Sequence, residues 1–281
     1  MLRAVDLTCP ELAMKEFDLI TDRKNLRALL DFVQRGGSKA GHRIDAELVG
    51  DETVLFFLGW SGRGYSGSRS YGVNFERAFT STLSKGTIQH NRVVTYTLGN
   101  LNMMVKYQAD AYIGRAELPA VSATTHNKHA PSSTIAPTGL RVITCDNTMV
   151  APESILEIKT ICAGQPLLKS QTLGQMWFAR TPILVAGRHH GEGQFMAIEA
   201  NDIMQSGALG DWELRNKEYL QKMIKLAEMI KEHLASSTVK RQAIVLKRDR
   251  SNHGLPVVEF YGLVDSYDLG LPHDLRAKWA R

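Results

Sequence analysis

The sequence predicts a mixed α/β (α+β) fold in which a central mixed β-sheet is flanked by helices. Strand-like and helix-like hydrophobic patterns are mixed along the chain. Hydrophobic residues make up 43% of the 281 residues and charged residues 22%, which is ordinary for a globular protein with a sizeable core. The chain has no internal repeat and no clear linker, so we predict a single domain over residues 1–281.

The first predicted helix covers residues 21–37, where apolar residues recur on one face and glycines end the pattern. Thr21 or Asp22 is positioned to cap its first turn. Further elements predicted in this half are strands at 43–50 and 53–60, a Gly/Ser-rich loop at 61–70, a helix at 71–83 and two strands within 92–114.

A loop or insertion without periodicity is predicted at about residues 115–138, which are rich in Pro, Ser, Thr and His. The later elements are strands at 139–145 and 154–160, a helix from 170 that ends before Pro182, a hairpin at 183–200, a long amphipathic helix at 211–237 and a final hairpin at 241–264. His189 and His190 fall in the turn of the hairpin at 183–200, so we expect both in solvent.

Charge and cysteine content limit the functional classes. Lys and Arg number 34 against 29 Asp and Glu, a mild basicity that permits RNA as a partner and equally fits an ordinary enzyme surface. Cys9, Cys145 and Cys162 lack metal-type spacing and suggest reduced thiols.

No apolar run approaches the roughly 20 residues that cross a bilayer, and the N-terminus lacks a signal-peptide core. We therefore expect no membrane association and a location in the nucleus or cytoplasm.

The segment SILEIKT, residues 154–160, contains a charged pair inside an apolar strand pattern. Glu157 and Lys159 share one face of that strand. This E-x-K spacing is half of a nuclease pattern in which carboxylates hold a divalent cation and the lysine stabilises developing charge. By itself the tripeptide also fits an exposed strand face.

The nuclease pattern requires another acid, and two candidates precede Glu157. Asp146 lies eleven residues before Glu157, whereas Asp110 lies much further upstream in a strand pattern. Spacing alone leaves both open. Glu76 adds a third acidic position, near the start of the helix that follows the Gly-rich loop.

In their order, these pieces resemble the DXO-type family of decapping exoribonucleases, relatives of the PD-(D/E)XK nucleases. The family motifs G-Φ-x-Φ-E, E-Φ-D and E-Φ-K, with Φ apolar, correspond to residues 72–76, 108–110 and 157–159. Arg23 resembles the arginine that opens a helix in the first motif, and Gln175 resembles the glutamine of the last motif. The resemblance thus favours a PD-(D/E)XK nuclease-like core.

The resemblance implies a role for each site residue, with Asp110 favoured over the other aspartate. The implied cation ligands are Glu76, Asp110, Glu157 and the Ile158 carbonyl, while Lys159 and Gln175 position water and the scissile phosphate and Arg23 contacts RNA phosphate. It also implies Mg²⁺ or Mn²⁺ as cofactor and RNA 5′ ends as substrate. The implied reactions are release of pyrophosphate, removal of incomplete or NAD-type caps, and 5′→3′ exoribonuclease activity.

Gln108 departs from the family pattern, which has glutamate at this position. A neutral amide oxygen weakens one metal site, so we group Gln108 with Arg23 as a substrate-binding candidate. This departure keeps a second hypothesis open, a catalytically weakened RNA-binding or regulatory partner of a 5′→3′ exoribonuclease. A third, a DNA endonuclease of the wider superfamily, is favoured if Asp146 is essential.

Overall fold

A computed structural model describes residues 1–36, 41–57, 60–61, 71–81, 89–114, 132–135, 139–143, 150–191, 193–249, 254–263 and 270–279. The α-helices in these ranges are α1 (Leu2–Thr8), α2 (Arg23–Arg35), α3 (Tyr71–Phe79), α4 (Ser170–Ala179), α5 (Ala208–Ser236) and α6 (His273–Arg276). The strands are β1 (Leu19–Asp22), β2 (His42–Val49), β3 (Thr53–Phe56), β4 (Trp60–Ser61), β5 (His90–Leu98), β6 (Leu101–Ala109), β7 (Ala111–Tyr112), β8 (Ser132–Ile135), β9 (Leu140–Ile143), β10 (Ile155–Cys162), β11 (Ile183–His189), β12 (Phe195–Asp202), β13 (Arg241–Asp249) and β14 (Leu255–Gly262). The predicted mixed α/β class is confirmed.

The helix α2 begins and ends as its sequence predicts. The Asp22 side chain accepts a hydrogen bond of 2.8 Å from the Lys24 amide and so caps the first turn. Gly36 ends the helix with φ 72°, a left-handed conformation that glycine adopts without steric cost. Because β1 leads directly into α2, Arg23 is fixed at the carboxyl end of a buried strand.

Two sheets carry most of the strands. The larger has the order β14-β13-β2-β3-β1-β6-β5, with β4 paired to β2, and β1 is parallel to both of its neighbours. The smaller has the order β12-β11-β10-β7, with β10 parallel to β11. Asp110 lies between the end of β6 and the start of β7, so the chain passes from the larger sheet to the smaller one at this residue.

The main hydrophobic core lies between the larger sheet and the helices α2, α4 and α5. The predicted apolar stripe of α5 is buried there, including Leu220, Met223, Ile230 and Leu234. A second core cluster joins α1 and the C-terminal segment to Ile20 and the strands around it. No helix in the described ranges is both long and apolar enough to span a bilayer.

Two predicted loops fall largely outside the described residues. These are the Gly/Ser-rich loop at 61–70 and most of the insertion at 115–138. The alternative acid Asp146 also lies outside the described residues. Within the predicted insertion, residues 132–135 form β8, which pairs with β9 as a separate hairpin. Thr134 and Ile135 are β-branched residues, which favour a strand there although the segment is otherwise polar. The prediction of one domain over 1–281 stays a prediction.

The helix α3 is held on the smaller sheet by Phe75, whose side chain is 1% exposed and packs on Leu156 and Ile158. Gly187 of β11 lies directly beneath the Phe75 ring, and a Cβ at this glycine would lie 2.7 Å from the ring atom Cζ. Only glycine permits so close an approach. This contact fixes the height of α3, and hence of Glu76, above β10.

Gly187→Ala is expected to destabilise the protein by about 1–3 kcal/mol because the new methyl group overpacks against Phe75. The free energy of unfolding from urea denaturation measures this. Gly210→Ala in α5 is the matched control, since nothing lies within 4 Å of its added Cβ and no loss is expected. Equal stability of the two variants would contradict the packing of Phe75 on this strand.

Candidate active site

Glu157 is buried at the centre of the smaller sheet. Its strand β10 pairs with β11 on one side and β7 on the other, and α3 packs against it. The Glu157 side chain is only 2% exposed. The sequence left open whether Glu157 lies on an exposed strand face or in a cation-binding site. Its burial shows that the exposed strand face is wrong. A buried carboxylate requires compensating charges or hydrogen bonds.

Three side chains predicted for the site supply that compensation. Arg23 Nη1 donates to Glu157 Oε2 over 3.1 Å. Lys159 Nζ and Gln175 Nε2 both donate to the other oxygen, Oε1. The structure thus brings Arg23 to a carboxylate that lies 134 positions away in sequence, and Gln175 to the same carboxylate, which lies 18 positions away. The four residues come from the start of α2, from β10 and from α4.

Arg23 is oriented by a second contact that the sequence did not indicate. Its guanidinium carbon lies 5.5 Å from the centroid of the Tyr107 ring, and the side chain is only 12% exposed. Tyr107 belongs to β6, next to β1 in the larger sheet. The ring and the Glu157 carboxylate together fix the planar fork, which is the geometry that suits phosphate binding.

Asp110 lies against the same strand. Its Oδ2 accepts a hydrogen bond of 2.8 Å from the backbone amide of Ile158. Burial, followed by the charge of Glu157, raises the pKa of Asp110 to about 7, while the Ile158 amide and Lys159 act in the opposite direction. Glu76 also contributes to this rise.

Glu76 approaches the cluster from α3. Burial raises the pKa of its carboxyl, the charge of Glu157 adds to the rise, and Lys159 opposes it. Glu76, Asp110 and Glu157 therefore lie within electrostatic reach of one another. Lys159 is the cation that all three of these carboxylates share.

The donor set fits a hard divalent cation by its chemistry, because carboxylate and carbonyl oxygens are the ligands that Mg²⁺ and Mn²⁺ prefer. A cation would also relieve the repulsion from Glu157, which adds to the larger effect of burial in raising the pKa of Asp110 and of Glu76. Within the described ranges, however, no three Asp, Glu, His or Cys side chains converge as a preassembled metal site. Glu157 Oε1 is engaged by Lys159 and Gln175, so cation binding at that oxygen requires exchange of these contacts.

Gln108 is the candidate that the structure leaves outside this network. Its side chain is exposed on β6, opposite Asn91 of β5. Among the described residues it makes no hydrogen bond to Glu76, Asp110 or Glu157. A substrate contact by Gln108 stays a prediction.

The expected exposure of the two hairpin histidines is wrong for one of them. His190 is exposed, but His189 is only 5% exposed because β11 extends to it. The His189 ring lies 4.9 Å from the Tyr71 ring and 5.5 Å from the Phe195 ring, measured between centroids. These aromatic contacts, absent from a local sequence pattern, anchor the first turn of α3.

The architecture matches solved structures of the proteins Rai1 and Dxo1. S. pombe Rai1 in complex with 3′-FADP matches with a TM-score of 0.60 and 10% identity, over 94% of this chain and 76% of that chain. Candida albicans Rai1 in complex with pU5-Mn2+ has a TM-score of 0.55 and 10% identity, over 100% and 81%. K. lactis Dxo1 in complex with manganese has a TM-score of 0.53 and 11% identity, over 94% and 70%. The resemblance to the DXO-type family is therefore confirmed at the level of the fold.

Comparisons at the level of sequence give a different kind of match. No curated protein sequence matches the chain. A family model matches residues 1–279, a range that contains every candidate residue of the site. The chain therefore belongs to the family described as Domain of unknown function (DUF8563).

Proposed function

We propose that this protein is a metal-dependent hydrolase that acts on RNA 5′ ends. The observation that supports this most is the buried Glu157, with Arg23, Lys159 and Gln175 bonded to its carboxylate and Asp110 bonded to the next residue of its strand. The fold supports it as well, since the similar C. albicans protein is in complex with pU5 and Mn²⁺.

In this proposal the cation is held by Glu76, Asp110, Glu157 and the Ile158 carbonyl. A bound Mg²⁺ or Mn²⁺ supplies Lewis acidity and a lower pKa for attacking water. The amide of Gln175 orients that water, and the Lys159 ammonium stabilises the negative charge that develops on the phosphoryl oxygens. Each of these two groups already donates to Glu157 Oε1 and lies within reach of the same point.

Arg23 binds the substrate phosphate in this proposal. An arginine side chain has five N–H donors in a planar fork, and within the described ranges Glu157 is the only hydrogen-bond partner of the Arg23 guanidinium. Donors therefore remain for a phosphate oxygen. The Tyr107 ring limits the motion of the fork, which lowers the entropy lost when phosphate binds.

The test is release from 5′-end-labelled RNAs that carry a monophosphate, a triphosphate, an unmethylated cap or NAD. With Mg²⁺ or Mn²⁺, at least one RNA is expected to lose its label, and EDTA is expected to stop the release. A Glu157→Ala/Lys159→Ala variant should abolish this release.

An intracellular RNA substrate, nuclear or cytoplasmic, agrees with the free thiols of Cys9 and Cys162.

A second candidate function is favoured by Gln108, which places an exposed neutral amide where the resembled family has an acid. With one metal site weakened, the protein would bind RNA and act as a partner of a 5′→3′ exoribonuclease. RNA binding without metal-dependent release from any of the four substrates would favour this candidate. Cleavage of DNA in the same assay would instead favour an endonuclease.

A further inference from the structure

The smaller sheet ends in a strand whose outer edge is exposed. This sheet has the order β12-β11-β10-β7, and in the part of the chain that the structure describes no strand pairs with the outer edge of β12. Met196 is 61% exposed and Ile198 is 49% exposed, and Ala197 and Ala200 are exposed as well. The backbone N–H and C=O groups along such an edge can pair with a strand of another chain.

The outer edge of β14 in the larger sheet is protected in ways that β12 is not. β14 contains Pro256, which has no N–H to donate, and Glu259, which pairs with Lys247 over 2.8 Å. The central part of β12 carries a single charge, on Glu199, and the Arg188 guanidinium compensates it with contacts of 2.5 and 3.3 Å. An edge this apolar is typical of an interface rather than of a surface that stays in solvent.

The helix α3 adds to this apolar surface. Phe79, in its last turn, is 53% exposed. The Phe79 ring lies 4.4 Å from the Phe75 ring and 6.4 Å from the Phe195 ring, measured between centroids. Ile198 lies on the same face of the sheet, because it pairs with Gly187, the residue beneath the Phe75 ring. A strand that pairs with β12 would therefore meet apolar side chains on the α3 face.

The sequence of β12 is self-complementary when two copies run antiparallel. Residues that lie opposite each other in such a pair point to the same face, so a two-fold axis perpendicular to the sheet passes through one residue position. With the axis at Ile198, this side chain lies opposite its own copy. Glu199 then lies opposite Ala197, so no charge faces a like charge.

Other axis positions bring unfavourable pairs together. An axis at Glu199 places two carboxylates opposite each other. An axis at Ala200 places Ile198 opposite the charged Asp202. An axis nearer the start of β12 falls at its β-bulge, where pairing is irregular. The chemistry of the strand therefore favours the axis at Ile198.

We propose that two copies of this chain associate through β12, antiparallel about a two-fold axis at Ile198, so that their smaller sheets become one continuous sheet. The inference is independent of the proposed function. Both α3 helices then lie on the same side of the joined sheet, and Phe79 lies only three residues after Glu76 in that helix. The contact is small, so we expect a dissociation constant on the order of 10 μM.

Sedimentation equilibrium between about 1 and 100 μM protein measures this association. The variants are Ile198→Lys and Ile198→Glu, studied alone and mixed in equal amounts, because each alone places two like charges opposite each other at the axis. Met229→Lys is the matched control, since Met229 is 62% exposed on a different element, α5. Thermal unfolding of each variant confirms that it is folded.

The wild type and Met229→Lys are expected to be dimeric at about 100 μM, and each Ile198 variant should associate at least about tenfold more weakly. The mixture of the two Ile198 variants should recover association, because an ammonium then lies opposite a carboxylate. A monomeric wild type, or a dimer that neither Ile198 variant weakens, would overturn the inference. Two folded variants that fail to associate when mixed would also overturn it, whether or not the protein releases RNA 5′ ends.

Discussion

Glu157→Gln is expected to lower the rate of metal-dependent 5′-end release by at least about 100-fold. The substitution preserves shape but removes the charge that Arg23 and Lys159 both contact. The substitution therefore removes a proposed cation ligand, and it also removes the contact that positions Arg23 and Lys159. Initial rates at saturating Mn²⁺ on the preferred RNA measure the effect.

The control is Glu153→Gln, because Glu153 is exposed just before the same strand and should behave as wild type. Breaking a buried ion pair also costs stability, so thermal unfolding is recorded and rates are compared below both midpoints. A folded Glu157→Gln variant that keeps more than a tenth of the wild-type rate would exclude Glu157 from the chemistry.

Asp110→Asn is expected to stabilise the metal-free protein at pH 8, by at most about 4 kcal/mol and less to the extent that the carboxyl is partly exposed. The pKa of Asp110 is about 7 in the folded state, above its ordinary value of 3.8. Between these values the folded state binds the extra proton, so the contribution of Asp110 to stability falls as pH rises. Asparagine does not titrate, so the Asp110→Asn variant does not lose this contribution to stability as pH rises.

Urea denaturation in EDTA at pH 5 and pH 8 measures the difference, which should be larger at pH 8. Added Mn²⁺ should raise the unfolding temperature of the wild type at pH 8 and have little effect on Asp110→Asn, since binding to the folded state alone is stabilising. A stability difference that is the same at both pH values would show that the Asp110 carboxyl titrates normally.

Local patterns in the sequence were sufficient for much of the fold. The caps and apolar stripe predict α2, and the long periodic stripe predicts α5, because these signals act within a few residues of one another. The site is a different case, because only the resemblance to the DXO-type family implies that these residues meet: Glu76, Asp110, Glu157, Lys159, Gln175 and Arg23. The structure brings Arg23, Lys159 and Gln175 into contact with Glu157, and places Asp110 and Glu76 within its electrostatic influence.

What the sequence did not predict depends on contacts between distant elements. Tyr107 orients Arg23 only because β6 and β1 are neighbours in the larger sheet. His189 is buried because β11 extends to it and because α3 and β12 pack aromatic rings around it.

The position of a bound divalent cation tests the central claim most directly. Crystals soaked in Mn²⁺ give an anomalous signal that locates the ion without reference to any proposed mechanism. We predict a peak within bonding distance of Asp110 and Glu157, with Lys159 or Gln175 withdrawn from Glu157 Oε1. A peak that lies away from both carboxylates, in protein that releases RNA 5′ ends, would contradict the account.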